Sequence, residues 1–568
     1  MTTDSAFERI RALLTELYGP HEAEIAETKL RRRLENARIP APRTRERFSE
    51  RDITLITYGN TLLRDGEAPL ATLYDFLCRH LIGTISTVHI LPFFPYSSDD
   101  GFSVIDYYAV NPALGTWDDI ARIGQHFRLM FDAVVNHMSA QSDWFKAFLR
   151  GEPEFQDLFF VESPETDLSS VTRPRTTPLL TAFETASGQT IHVWTTFSAD
   201  QVDLDFRSPN TLLRILDVLL YYVERGADVI RLDAIGFLWK EPGTTCIHLR
   251  QTHAIVQLMR ATLDAVAPHI VLITETNVPH AENVSYFGDG HNEAQLVYNF
   301  TLPPLLLYTL LSGNGEQLAT WINSLETPSD QTTFFNFTAS HDGIGVRPVE
   351  GILDASDLQR MIEHVERIGG RISYRNNPDG SRSPYELNVT YVDAVANPDE
   401  TPAEHIRRFL LSQAVMLALA GVPAVYIHSL LGSRNDLEGM AVKGHNRAIN
   451  RAQLQLDQIE AELDDPQSFR AQIFHNYLHL IQQRIRHFAF HPNGAQRAFT
   501  RNDGQVLIIE RTAPDESERI LALHNLTSRP QTVALDRAGG RDILAEQAIV
   551  ADNVELEPYA VRWILFQL

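Results

Sequence analysis

The sequence predicts an α/β protein: a (β/α)8 barrel with a subdomain inserted after its third strand and an antiparallel β-domain at its C-terminal end. Three observations predict it. From residue 51 onward, short apolar runs alternate with amphipathic stretches, the rhythm of parallel βα units. Eight such runs are present, and eight favour a closed barrel over an open doubly wound sheet. From residue 489 the rhythm changes to short, closely spaced alternating strands, which fit a small antiparallel domain.

Residues 1–50 read as an N-terminal helical extension. Phe7, Ile10, Leu13, Leu14 and Leu17 fall at helical spacing and form one apolar stripe, suited to packing on the body. The run Lys29-Leu-Arg-Arg-Arg33 reads as a solvated helix face rather than a binding patch. The first part of the barrel covers 51–137, with strands expected at 53–58, 87–94 and 128–135 and helices at 70–81 and 117–126. Residues 138–206 lose the rhythm, carry Pro, Ser, Thr and aromatic side chains, and are read as the inserted subdomain. The second part covers 207–488. Its helices are expected at 212–225 and 253–266, its strands at 228–233, 270–275, 296–300, 333–338 and 424–427. Within it, 346–400 is a second long insertion that includes the loop-rich stretch 369–380. Long loops at the C-terminal face of a barrel shape a substrate pocket. The final domain covers 489–568, with strands expected at 498–501, 505–511, 519–525, 532–535 and 560–566.

A chain of 568 residues is too long for one compact core. Its formal net charge of −24 argues against nucleic acid or an anionic membrane as partner, though a local Arg cluster can still receive a small anion. Two cysteines, Cys78 and Cys246, allow neither a disulfide framework nor a Cys-rich metal site. No basic stretch followed by an apolar core opens the chain, and Ser412, Gln413 and Pro423 interrupt its longest apolar run. A cytoplasmic protein with small-molecule partners is the expectation.

Polar side chains recur just after the predicted strands. The second strand leads into Ser97-Ser-Asp-Asp-Gly-Phe102; the third carries Asp132 and leads into Asn136 and His137. The fourth carries Arg231 and Asp233, the fifth ends at Glu275, and the seventh is followed by His341 and Asp342. Arg231 and Asp233 are two apart on one strand and share a face; alone, they fit a buried structural ion pair as well as a catalytic one. Several acids at one barrel mouth are harder to explain structurally, because like charges repel. Two carboxylates flanking a bond are what glycoside chemistry needs, about 5–5.5 Å apart in a retaining enzyme.

In these residues the sequence resembles the α-amylase superfamily. The resemblance rests on Asp132-Ala-Val-Val-Asn-His137, Ile230-Arg-Leu-Asp-Ala234, Glu275 and Ala339-Ser-His-Asp342. More narrowly it resembles the sucrose phosphorylase branch, through His89-Ile-Leu-Pro-Phe-Phe94, Asp99-Asp-Gly-Phe102, Arg173-Pro-Arg175, Gln201-Val-Asp-Leu-Asp205, Tyr385-Glu-Leu-Asn388 and Asn446-Arg-Ala-Ile-Asn-Arg451. The resemblance implies Asp233 as nucleophile, Glu275 as acid/base and Asp342 as transition-state stabiliser. It implies that Asp99, His137, Gln201, Arg231, His341 and Arg447 hold the glucosyl unit, with Phe102 and Phe197 packed on it. Arg175, Tyr385 and Glu386 fall at the site where acceptor and phosphate alternate. The implied reaction is retaining, reversible phosphorolysis, with no metal and no cofactor beyond inorganic phosphate as co-substrate.

The late loop departs from the sucrose-specific pattern. It reads Tyr374-Arg-Asn-Asn-Pro-Asp-Gly-Ser-Arg-Ser-Pro384, and Thr172 stands where the sucrose enzymes have Tyr. Arg375 and Arg382 suit an anionic aglycone instead. With the N-terminal extension, this resembles the glucosylglycerate phosphorylase group, which implies phosphorolysis of 2-O-α-D-glucosyl-D-glycerate to α-glucose 1-phosphate and D-glycerate. Phosphorylases of sucrose 6'-phosphate, sucrose or glucosylglycerol, a retaining hydrolase and a catalytically silent sugar-binding protein stay open at this point.

Overall fold

The computed structural model describes residues 3–43, 46–377, 381–536 and 539–567. Eight parallel strands close a TIM barrel: β1 (Thr54–Thr57), β2 (Thr87–Ile90), β3 (Arg128–Ala133), β4 (Ala227–Leu232), β5 (Val271–Thr274), β6 (Leu296–Tyr298), β7 (Thr333–Phe337) and β8 (Val422–Tyr426). Each pairs with its neighbours in sequence, and β8 pairs back to β1, so no edge is left open. β1, β2, β4, β5, β7 and β8 are buried at every position. Helices cover the barrel outside and side chains fill it inside, so these strands read as nearly continuous apolar runs rather than alternating ones.

The helices start where local chemistry allows. The N-terminal helix α1 (Thr3–Glu35) is kinked at Gly19, whose φ of 77° is followed by Pro20. In α2 (Pro209–Glu224), Ser208 caps the first turn through its side chain and Pro209 follows it, a position where a missing N–H costs nothing. α3 (Arg250–Val266) buries Ile255, Leu258, Met259 and Leu263. The helix α1 packs across α2 and α3, with Ile10, Leu14, Ala23, Ala26 and Leu30 buried. The basic run on α1 is not solvated throughout. Arg33 pairs with Asp217 and, at 2.9 Å, with Glu224, both on α2. Those partners lie roughly half a barrel away in sequence, which is why charge pattern alone misread this residue.

Between β3 and β4 the chain forms a small layer above the barrel rim. His137–Ser139 pairs with Gln201–Asp203, and Leu180–Glu184 pairs with Thr190–Trp194. A separate cluster of Phe160, Val171, Leu179 and Trp194 includes Cys246 from the loop after β4, so this layer shares its core with the barrel. A buried ion pair adds to it. Lys240 Nζ lies 2.9 Å from Asp203 and donates to Asn136 Oδ1 at 2.9 Å. The stretch after β7 is more ordered than a loop-rich reading suggests. Arg371–Asn376 and Arg382–Asn388 form an antiparallel hairpin, and Ile344–Gly345 adds a third strand. Residues 378–380 of that stretch lie outside the described residues.

The C-terminal part forms a six-stranded antiparallel sheet with a further two-stranded ribbon. Three short strands, Gly540–Asp542, Gln547–Ile549 and Asn553–Leu556, were not anticipated, because three or four residues carry too little alternation to read. Along Val506–Thr512, Leu507 and Ile509 join the main core while Val506 and Ile508 face a second cluster with Leu521, Val554 and Phe566. The sheet is therefore apolar on both faces.

Because α1 docks through an apolar stripe, Leu14→Ala is expected to destabilise its attachment by about 2–5 kcal/mol. Thermal unfolding should show a lowered midpoint or an early separate transition for the variant.

Candidate active site

The site grows from a cation placed where a barrel strand should be apolar. Arg231, on β4, is 2% exposed. The register sets Arg231 beside Asp132 on β3 and beside Ile273 on β5. Two residues further along each strand, Asp233 and Glu275 fall at the same level and on the same face. Arg231 Nη1 donates to Asp132 and, at 2.7 Å, to Asp233, and Nη2 lies 4.0 Å from Glu275. His89 Nε2 meets the other oxygen of Asp132 at 2.7 Å. One guanidinium thus organises three carboxylates.

The strand then breaks sharply. Ala234 takes a left-handed φ of 49°, which costs an L-residue about 1–3 kcal/mol. The turn points the Ala234 N–H at Glu275 Oε2, 3.3 Å away. Asp99, Asp100 and His248 also sit at positive φ, so strained backbone gathers at this rim. The two acids differ in environment. Burial raises the Asp233 carboxyl above its ordinary value, against the pull of Arg231 in direct contact. Glu275 lacks that contact; burial, with Asp233 and Asp342 nearby, pushes it up to about 7. Glu275 is the group suited to carry a proton near neutrality.

Asp342 is held the other way. Burial would raise its carboxyl, but Arg447, His341 and Arg451 outweigh burial and hold it well below the usual range. Arg447 Nη1 is 2.6 Å from Asp342 and Arg451 Nη2 is 3.5 Å away. Arg447 is itself fixed by a two-pronged contact with buried Glu386.

These acids line a cavity of about 850 Å3, open to solvent. Asp99, Phe102, His137, Phe197, Gln201, His341 and Arg447 line it too. Phe102 stacks on His341 with ring centres 4.9 Å apart. Gln201 donates to the Phe102 carbonyl at 3.1 Å and reaches Asp99 at 3.4 Å, and His137 Nε2 meets the same carbonyl at 2.9 Å. The outer wall carries Arg173, Arg175, Arg347, Arg375 and Tyr385, with Arg175 5.8 Å over the Tyr385 ring and 6.0 Å from that of Phe197.

Three expected positions are not on the cavity wall. Arg231 lies beneath it and acts on it through the acids it binds. Glu386 points at Arg447, and its two oxygens are taken by that contact. Arg382 is exposed and pairs with Asn376, one step out of phase with Arg375, which pairs with Ser383. Strand alternation therefore puts Arg382 on the face opposite Arg375. Arg347, His248 and Asn277 line the cavity and were missed. Asn277 stands two residues past Glu275 and Arg347 five past Asp342, so proximity to the acids was their one sequence signal. Among the described residues no group of three or more His, Cys, Asp or Glu side chains is arranged to hold a metal ion, and no helix is long and apolar enough to cross a membrane.

A barrel with three acids at its C-terminal mouth and a stacked aromatic beside them defines a class, the glycoside-active enzymes of the α-amylase type. Known proteins agree with it. The family described as "Alpha amylase, catalytic domain" matches residues 81–342, and "D-apionate lactonase, C-terminal immunoglobulin-like domain" matches 512–564. The chain is 46% identical to a glucosylglycerate phosphorylase of Escherichia coli over 98% of its own length and 100% of that protein. It is 48% identical to a glucosylglycerate phosphorylase of Allomeiothermus silvanus over 93% of each. Among solved structures, the sucrose 6F-phosphate phosphorylase of Thermoanaerobacter thermosaccharolyticum superposes with a TM-score of 0.73 at 27% identity, covering 84% of this chain and 94% of that one. The chain belongs to the glucosylglycerate phosphorylase family and is a glycoside phosphorylase.

The pH profile follows from the two acids. With Asp233 as nucleophile and Glu275 as proton donor, cleavage would need the first ionised and the second protonated. kcat/KM for the glucoside should fall as pH rises through about 7, where Glu275 loses its proton, and fall again in acid as Asp233 gains one. Glu275→Gln should remove the alkaline limb; an unchanged limb assigns it to another group.

Proposed function

We propose that the enzyme carries out reversible, retaining phosphorolysis of 2-O-α-D-glucosyl-D-glycerate. The observation that carries this reading is near-full-length identity to glucosylglycerate phosphorylases joined to an outer wall rich in arginine. Asp233 attacks the anomeric carbon while Glu275 gives its proton to the departing glycerate oxygen. The glucosyl ester on Asp233 is then displaced by inorganic phosphate, whose proton returns to Glu275, giving α-glucose 1-phosphate. Two inversions leave the configuration retained. Asp342, kept ionised by Arg447, faces the positive charge that develops on the sugar ring. Asp99, His137, Gln201, His341 and Arg447 hold the glucosyl unit, with Phe102 and Phe197 packed on it, and Arg231 sets the acids. Arg175 and Tyr385 serve phosphate, and Arg375 serves the glycerate carboxylate. No metal or cofactor is assigned a part, and a cytoplasmic setting fits the small-molecule substrates.

The test is phosphate release from α-glucose 1-phosphate with D-glycerate, fructose, fructose 6-phosphate or glycerol as acceptor. Release with D-glycerate and little with the others is expected. Release with fructose 6-phosphate alone overturns the substrate, free glucose regardless of acceptor makes the enzyme a hydrolase, and no turnover makes it a binding protein. Glu275→Gln should cost about 10²–10⁴-fold in kcat for D-glycerate.

A further inference from the structure

The arginines in and around the cavity differ in how far they are neutralised. Those at the inner end each face two or more carboxylates: Arg231 has Asp132, Asp233 and, at 4.0 Å, Glu275, Arg447 has Asp342 and Glu386, and Arg451 has Asp100 and Asp342. At the outer end, Arg347 and Arg375 share a single carboxylate oxygen. Glu350 Oε1 is 3.2 Å from Arg375 Nη2 and 3.8 Å from Arg347 Nε. The Nε atoms of both are buried without a hydrogen-bond partner. Burial, and then Arg347, lower the Arg375 pKa from its ordinary value. Two guanidiniums are thus held facing each other with one positive charge left over, and both line the cavity.

The backbone keeps them there. Arg347 opens the 3₁₀ turn Arg347–Val349, directly after the short strand Ile344–Gly345 that pairs with Arg382–Asn388, and Arg375 lies on the next strand of the same sheet. A Cβ on Gly345 would meet the Asn277 amide at 2.5 Å, so the turn seats tightly against the loop that follows Glu275. The shared sheet ties the arginine pair to Tyr385 and to the catalytic rim.

We propose that Arg347, paired with Arg375 across Glu350, is a specificity-determining residue that selects acceptors bearing a carboxylate. This rests on the functional reading above and adds to it a residue and a charge balance. Arg175 is separate. It meets the Phe197 and Tyr385 rings, while Glu350 is taken by Arg347 and Arg375. Acceptor and phosphate therefore lean on different cations.

The test uses the full-length enzyme with α-glucose 1-phosphate as donor. Arg347→Met should raise the KM for D-glycerate about 10–100-fold, the worth of hydrogen bonds to a charged group, and raise the KM for glycerol and for arsenate far less. Arg347→Lys, which keeps the charge but not the fork, should recover part of the loss. Arsenolysis of α-glucose 1-phosphate in the same preparations reports that the acids are intact. Equal rises for glycerate and glycerol would reduce Arg347 to a packing role, and a larger rise for arsenate would move it to phosphate; either overturns the proposal. A wild-type enzyme that releases phosphate with other acceptors but not D-glycerate defeats the functional reading first, and this one with it.

Discussion

The contact between Arg231 and its carboxylates is the constraint on which the rest depends. A guanidinium inside a barrel is costly unless its charge is matched and its donors are used. Asp132, Asp233 and, further off, Glu275 supply that match. The same contact makes the two central acids unequal. Asp233 touches the cation directly and Glu275 does not, so burial acts on Glu275 with less opposition. Two carboxylates at one level of the barrel thus gain the contrast that an acid and a nucleophile require. The parallel register is what makes this possible, since it brings β3, β4 and β5 into step without any loop having to be positioned.

Charge is then graded along the cavity. Near the acids each arginine is matched by two or more carboxylates, and toward solvent the guanidiniums outnumber their partners. A neutral group and an anionic one would meet opposite conditions within such a pocket. This grading also lets a chain of net charge −24 present a locally cationic wall. The long-range field is acidic, but fixed guanidiniums a few ångströms from the ligand dominate at contact.

Much of this was legible in the sequence. All eight barrel strands coincide with apolar runs, because strands covered on both faces leave an unbroken signal. The acids of the candidate site follow those strands, and the short motifs around Asp132, Asp233, Glu275 and Asp342 tie them to a family. The outer wall was less legible. Arg375 and Arg382 look alike as letters, and only the bulge between Ser373 and Tyr374 and the register beyond it decide which one faces the cavity. Glu386 is adjacent to Tyr385 but turns to Arg447, an ion pair across 61 residues. Arg33 found partners on α2 that no local pattern could announce. In each case the missing information was a long-range pairing.

The Lys240–Asp203–Asn136 contact bears on how the enzyme breathes. It joins the loop after β4, the layer above the rim and the residue next to His137, all without solvent. Lifting that layer would strand a buried ammonium and a buried carboxylate, a penalty of several kcal/mol for each ion. The layer is thus locked to the barrel as a fixed half of the doorway. On the other side of the cavity the strands Arg371–Asn376 and Arg382–Asn388 are partly exposed, and so is the Arg375–Glu350 ion pair. The rim is asymmetric: one side is set by desolvated charge, and the other by an ion pair that water reaches.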